Sequence, residues 1–350
     1  MSIFALERDH REGNEAAEVL SRTKAVVDPA LRAAVDTLPE SMRRIAGYHF
    51  GWWEPDGAPA LAAGSGKAIR PALVLAATQA VGGPAAAAVR PAAAVELVHN
   101  FTLLHDDVID RDQTRRHRPT AWRVFGTTEA ILAGDAMHSL ALRILAEDVH
   151  PAAPGAVRRL ADCVVELCAG QQADCAFEQR SDVSLAECLT MAEAKTGALL
   201  GCACAVGALY AGAEQPAVDA MDAFGREIGL AFQLIDDLIG IWGDPAVTGK
   251  PVGADLVARK KSLPVVFALG SGTEAGEELA ALYAIDRPLT PAELERAAQA
   301  VERAGGRSWA QGESCERMAA AIGHLATAVS APAAADELLA LAELVTRRSH

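Results

Sequence analysis

Aromatic residues are scarce in this 350-residue chain, only 5% of it, and runs of β-branched residues are few. A β-sandwich or barrel would need both, so the alanine-rich remainder points to helix nearly throughout. The chain also lacks a surplus of basic charge. Its formal net charge of −14 argues against nucleic acid or an anionic membrane surface as a general partner, so any basic residues that bind an anion must be local. The seven cysteines (163, 168, 175, 188, 202, 204 and 315) are odd in number and contain no C-x-x-C pair. They read as small buried core residues in a reducing compartment rather than zinc ligands or disulfides. The charged start, MSIFALERDHREGNE, offers no apolar signal segment, which leads to the expectation of a cytoplasmic protein. No internal repeat, low-complexity tract or linker divides the chain, and one domain over 1–350 is expected, with residues 1–15 a loose polar arm.

What is present is a core-sized share of hydrophobic residues, 51%, against 22% charged. The uncharged run 196–213 meets the length of a membrane span, but its Ala, Gly and Cys make it a close-packed core helix, so no integral span is expected. Gly82-Gly83-Pro84 breaks a second uncharged run into two helices.

The chemistry concentrates in 96–118, ELVHNFTLLHDDVIDRDQTRRHR. Apolar residues recur there at helical spacing, so Asp106 and Asp110, four apart, share a face, with Asp107 beside them. Like charges packed this way repel, and a hard divalent cation would turn that repulsion into coordination, since Mg²⁺ takes carboxylate oxygens and completes its shell with water and phosphate. A second pair, Asp236 and Asp237, follows another apolar-periodic run. Lys and Arg cluster beside both pairs, a pattern suited to metals gripping a polyphosphate from two sides. Gly64-Ser65-Gly66 leads into Lys67-Ala68-Ile69-Arg70-Pro71, expected to open a helix with Lys67 and Arg70 in its first turn as an anion site. Arg111–Thr120 reads as a basic loop, Lys195 as a lone lysine within an apolar helix, and Gly243–Pro264 as a lid carrying Lys250, Lys260 and Lys261.

In this order and spacing the motifs GKAIRP (66–71), ELVHNFTLLHDDVID (96–110), RR (115–116), GD (134–135), GQ (170–171), KTG (195–197), FQLIDD (232–237), GKPVGADL (249–256) and KKSLP (260–264) resemble the trans-isoprenyl diphosphate synthases, or polyprenyl synthetases. The likeness is strongest to bacterial geranylgeranyl diphosphate synthases and runs from about Tyr48 to Arg348. It implies an all-α bundle of about 12 or more helices around a central cavity walled by the two aspartate helices. It also implies a homodimer that condenses isopentenyl diphosphate with allylic diphosphates.

By the same analogy Asp106, Asp110 and Asp236 would ligate three Mg²⁺, with Asp107 and Asp237 close by. Arg115, Lys195, Thr196, Gln233, Lys250 and Lys260 would hold the allylic diphosphate, and Lys67, Arg70, His99 and Arg116 isopentenyl diphosphate. Phe101 and Thr102, five and four residues before Asp106 and so about 6–8 Å along the axis, would floor the chain pocket. One aromatic there, with a small neighbour, resembles enzymes that stop at C20.

Three positions depart from the family pattern. Ala68 stands for a second Arg, His117 for the usual Gly after the Arg pair, and Gly240 for the third Asp of the second motif. A class I terpene cyclase could share both aspartate motifs but would not need Lys67, Arg70, His99 and Arg116. A di-iron bundle could use Glu96…His99 and Glu147…His150, but the second runs into Pro151 and both Asp pairs go unexplained. A non-catalytic subunit is expected to lose metal ligands, which this chain keeps.

Overall fold

The computed structural model describes residues 3–60, 66–243 and 253–346. It is 77% helical. Among the described residues the only strands are Thr114–Arg115 and Arg118–Pro119, an antiparallel pair in which Arg115 faces Arg118. Contacts group the chain into two compact units. The first comprises Met1–Val164, Cys202–Asp222 and Thr327–Leu341, the second Val165–Gly201, Ala223–Ala326 and Ala342–His350.

In the first unit the helix Val89–Ile109 carries the first aspartate motif. It packs against Thr127–Ala146, Ile69–Ala80 and Ile3–Val35. Its apolar residues Leu97, Val98 and Leu104 are fully buried, each contributing about 1.5–3 kcal/mol by leaving water. Pro91 lies in its first turn, where a missing N–H costs no helical bond. Gly207, on Ala198–Tyr210, permits close approach of Ile69–Ala80, because a Cβ there would run into the Val74 carbonyl. The Thr78 hydroxyl lies 2.8 Å from the Val74 oxygen and 3.0 Å from that of Gly207. The run read as a core helix is one: Leu185–Tyr210 is long and apolar enough to cross a membrane, yet 72% of its most apolar window is buried.

In the second unit Leu230, Leu234 and Leu238, spaced four apart on Gln215–Trp242, bury one stripe against Cys188, Met191, Leu263 and Val266. A second cluster joins Ile241, Leu256 and Val265 to Leu279, Leu282, Ala297 and Val301.

Several expectations need correction. The N-terminal stretch expected as a loose polar arm has helical backbone, continuous from Ile3 through Val35. Its Ala, Leu, Glu and Arg residues are strong helix formers. The basic loop is instead the small hairpin, with Arg116 and His117 at its turn. Lys67 precedes its helix, which begins at Ile69 after Ala68. Cys168 and Cys315 are exposed, while Cys163, Cys188, Cys202 and Cys204 are buried. None of the seven is in a disulfide.

Candidate active site

The first aspartate motif sits at the C-terminal end of its helix. Asp106 lies in the last turn, and Asp110 caps the end, its N–H donating to the Asp106 carbonyl at 2.8 Å. This end carries the negative pole of the helix dipole, so the carboxylates compound it and favour a cation. The three aspartates differ in setting: Asp106 is half-buried, Asp110 exposed and Asp107 buried. Burial raises the Asp107 pKa, and Arg115 opposes the rise. Arg115 Nε donates to Asp107 Oδ1 at 2.8 Å, and its Nη2 lies 2.7 Å from the same oxygen. The hairpin brings Arg115 back over the helix. Its turn has φ of 51° at Arg116 and 62° at His117, positive at both central positions as in a type I′ turn. The family's glycine suits such a position, and His117 occupies it at a cost in backbone strain.

Arg116, Arg70 and His99 lie in this unit as well. The Arg116 guanidinium packs against the backbone of Gly66, where a Cβ would stand 2.7 Å from Nη2. Arg70 Nη1 is 3.1 Å from His99 Nε2. Arginine has no acceptor, so it donates, and His99 is a neutral imidazole with its proton on Nδ1. Burial and the neighbouring arginines lower the His99 pKa well below its usual value. Ala68 adopts a left-handed conformation, φ 56°, before the Arg70 helix, and Lys67 is exposed. Beneath the hairpin a small cavity is lined by Tyr48, His49, Asp107, Arg115, Arg116 and Thr120. His49 has its pKa lowered to about 3 by burial, Arg116 and Arg115, and is neutral at physiological pH. Arg118, the hairpin's other arginine, is structural: it donates to the Trp53 carbonyl at 2.9 Å and stacks on Tyr48.

The second motif, in the second unit, repeats one feature. Asp236 is half-buried and Asp237 fully buried. Asp237 accepts from the Gln233 side-chain amide and from the Leu263 backbone N–H, both at 2.8 Å. Burial pushes its pKa up to about 6 against the opposing pull of Lys260. Gln233 in turn accepts from the Thr196 hydroxyl at 2.8 Å.

Thr196 and Lys195 belong to a π-helical turn, Glu193–Gly197, in which the Ala198 N–H reaches back five residues to the Glu193 carbonyl. Such turns are frequent at functional sites. Glycines let neighbouring helices close on it, since a Cβ at Gly170 would meet the Lys195 backbone nitrogen and one at Gly229 the Gly197 Cα. Lys195 pairs with Asp174 at 2.5 Å. Gly240 also has a spatial reason: the Asp255 carboxylate occupies the volume of its absent side chain, its Cγ 2.5 Å from where a Cβ would be.

Phe101 packs edge-on against His105, ring centres 4.9 Å apart, and against His138 at 5.3 Å. Thr102 donates to the His99 carbonyl at 2.8 Å. Lys250 lies outside the described residues.

Among the described residues no three His, Cys, Asp or Glu side chains form a ready-made metal cage. Sequence reasoning missed Asp174 as the partner of Lys195, His138 beside Phe101, and the burial of Glu96. Only Glu96 left a signal, being three and four residues before His99 and Asn100.

The Polyprenyl synthetase family profile matches residues 58–301, a span that runs through both units. The chain is 50% identical over 331 residues to a geranylgeranyl diphosphate synthase of Mycobacterium tuberculosis, covering 94% of this chain and 93% of the relative. It is 46% identical over 334 residues to a (2E,6E)-farnesyl diphosphate synthase of the same species, covering 94% and 92%. The crystal structure of a polyprenyl synthetase from Streptomyces coelicolor superposes with a TM-score of 0.89 at 43% identity, covering 94% of this chain and 98% of that one. The chain thus has the isoprenyl synthase fold, belongs to the polyprenyl synthetase family and is a trans-prenyltransferase.

Proposed function

We propose that the enzyme joins isopentenyl diphosphate to an allylic diphosphate, head to tail and 1′–4, and that its main product is linear all-trans C20 geranylgeranyl diphosphate. The observation that carries this reading is the coexistence of two kinds of site. Each aspartate pair anchors one buried carboxylate and leaves its neighbour part-exposed, while Arg70, His99 and Arg116 supply cationic and hydrogen-bonding groups for a second diphosphate. A cyclase acting on one finished prenyl diphosphate has no use for the latter group.

The donor set suits Mg²⁺, which binds proteins through one or two carboxylates and takes its remaining ligands from water and phosphate, so a closed cage is not required. Asp106, Asp110 and Asp236 would hold it, three ions per site by family likeness. When bound, it would act as a Lewis acid on the departing diphosphate.

The chain's own residues do the rest. Lys195, Lys250 and Lys260, with Thr196 and Gln233, hold the allylic diphosphate. Two of Arg115's five N–H groups face Asp107, leaving others for a phosphate. These fixed charges stabilise the pyrophosphate as the allylic C1–O bond breaks and its electron pair leaves with oxygen. Lys67, Arg70, His99 and Arg116 hold isopentenyl diphosphate so that its C4 attacks C1. The C2 proton then passes to pyrophosphate. Asp107 and Asp237 act by keeping Arg115, Gln233 and the 260–263 segment in place.

The C20 limit rests on Phe101, which with His138 forms an aromatic barrier a little over one turn before Asp106. The relatives' names include both a C20 and a C15 synthase, so product length is the sharpest test. Purified enzyme should be given Mg²⁺, isopentenyl diphosphate and each of the C5, C10 and C15 allylic diphosphates. A linear C20 alcohol after hydrolysis, dependent on isopentenyl diphosphate, is expected. A cyclic hydrocarbon formed without isopentenyl diphosphate would overturn the reading. Phe101→Ala is expected to lengthen the product, and an unchanged product would remove Phe101 from the floor. Seven cysteines, odd in number and in no disulfide, support a cytoplasmic enzyme, and family likeness supports a homodimer, which light scattering in solution tests.

A further inference from the structure

Glu96 has no part in the chemistry above, yet it is a carboxylate with only 7% exposure inside the first aspartate helix. Burying such a group is costly unless it is paired and hydrogen-bonded. One turn along the same face stand His99 and Asn100. Asn100 Nδ2 donates to Glu96 Oε1 at 2.9 Å and to the Glu96 carbonyl at 2.8 Å, which fixes the carboxylate. His99 accepts from Arg70 at 3.1 Å, so the Arg70 guanidinium lies over this face. Arg116 arrives from the hairpin and rests on Gly66, the residue before Lys67.

Charge interactions agree with this arrangement. Burial raises the Glu96 pKa; Arg70 and then Arg116 are the cations that oppose the rise, Asp28 adds to it, and Glu96 is the charge that acts most strongly on Arg116. Guanidiniums gathered for a dianionic group repel one another, and Arg115 is the cation that acts against Arg116. A buried anion behind them relieves that repulsion and fixes their direction without competing for the substrate's side of the site.

We infer that Glu96 is a positioning residue for the second diphosphate: one buried carboxylate that serves Arg70 and Arg116 together and presents them, beside His99, as a preformed pair. The inference rests on the proposed use of these residues for isopentenyl diphosphate. Preorganisation of this kind appears in affinity for one substrate and not the other.

The test is a pair of variants. Glu96→Gln keeps the shape and an oxygen for Asn100 but removes the charge. Its KM for isopentenyl diphosphate should rise about tenfold, the size expected for losing a charged hydrogen-bonding partner, while the KM for the allylic diphosphate stays within twofold of wild type. Glu96→Asp keeps the charge on a shorter arm and should recover most of the loss, within about threefold of wild type. Calorimetric binding of isopentenyl diphosphate should follow the same order. Should Glu96→Gln fail to fold, Glu96→Asp carries the test through the same split, a KM raised two- to threefold for isopentenyl diphosphate alone. If both KM values move together, or neither moves, Glu96 is merely structural and the inference falls. A wild-type enzyme indifferent to isopentenyl diphosphate would instead bring down the reading beneath it.

Discussion

Asp107 and Asp237 are both the buried second member of an aspartate pair, but the two units hydrogen-bond them with different donors. Asp107 is met by a full cation, Arg115, swung over it by the hairpin. Asp237 is met by neutral donors, the Gln233 amide and the Leu263 N–H. Burial raises the pKa of both carboxylates; Arg115 opposes the rise at Asp107 through a direct hydrogen bond, while at Asp237 the charge of Lys260 and the two neutral donors oppose it and the pKa is still pushed up to about 6. Each anchor also fixes a second element, the hairpin with Arg116 in one unit and the KKSLP segment with Lys260 in the other. In each pair the buried carboxylate is held by its own set of donors, and its half-buried neighbour is the one proposed to meet the metal.

The comparison can be broken at several levels. Removing either half-buried carboxylate, Asp106→Ala or Asp236→Ala, should lower kcat by about 10³-fold with little change in Tm if each holds metal as proposed, because the loss then falls on transition-state charge stabilisation rather than on packing. Equal losses at the two sites would make the motifs symmetric in function. A loss under tenfold at one would show that the other suffices.

Next in size are the anchors. Arg115→Met strands a buried carboxylate and should cost about 3–5 kcal/mol of stability. Gln233→Met removes one of two neutral donors and should cost about 1–3 kcal/mol. Denaturant unfolding ranks them, and the reverse order would contradict the contrast between charged and neutral anchoring.

The third prediction concerns pH. Because the folded-state pKa of Asp237 lies near 6, above the ordinary 3.8, the folded state holds a proton that the unfolded state has lost. The stability linked to that proton is fully present below about pH 4 and is lost as pH rises through about 6, a fall of about 3 kcal/mol by linkage. Asp237→Asn, measured in chelator, should remove this slope. A slope unchanged in the variant would assign it elsewhere.

The smallest effect is His117→Gly, which relieves the left-handed strain at the hairpin turn and should stabilise by about 1 kcal/mol. A loss of stability would mean that the His117 side chain contributes more than its backbone costs.

Much of this organisation was legible in the sequence because helical periodicity reports which face is buried. The spacing that put Asp106 near Asp110 and stacked Leu230, Leu234 and Leu238 holds in the folded chain. Periodicity cannot report a partner that returns from elsewhere. Nothing local announces that Arg115 will fold back on Asp107, that Asp174 will meet Lys195 from another helix, or that Asp255 will fill the space at Gly240. Backbone conformation was equally hidden where the usual residue is missing. Ala68 and His117 carry no sign of positive φ, although the family's glycine at the second position would have. The helical backbone of the N-terminal stretch was hidden for a different reason: its charge drew attention away from Glu, Ala, Leu and Arg, which favour helix.

The π-helical turn at Glu193–Gly197 has a geometric consequence. One extra residue in a helical turn advances the phase of everything beyond it by about 100°. The apolar faces of Leu185–Ala192 and Ala198–Tyr210 are therefore out of register with each other as a continuous helix would count them, and the offset falls where Lys195 emerges. The turn acts as a phase shifter, allowing one long apolar rod to stay buried on both sides of a charged side chain. Deleting a single residue from it would leave the composition almost untouched and rotate one half of the rod out of its packing.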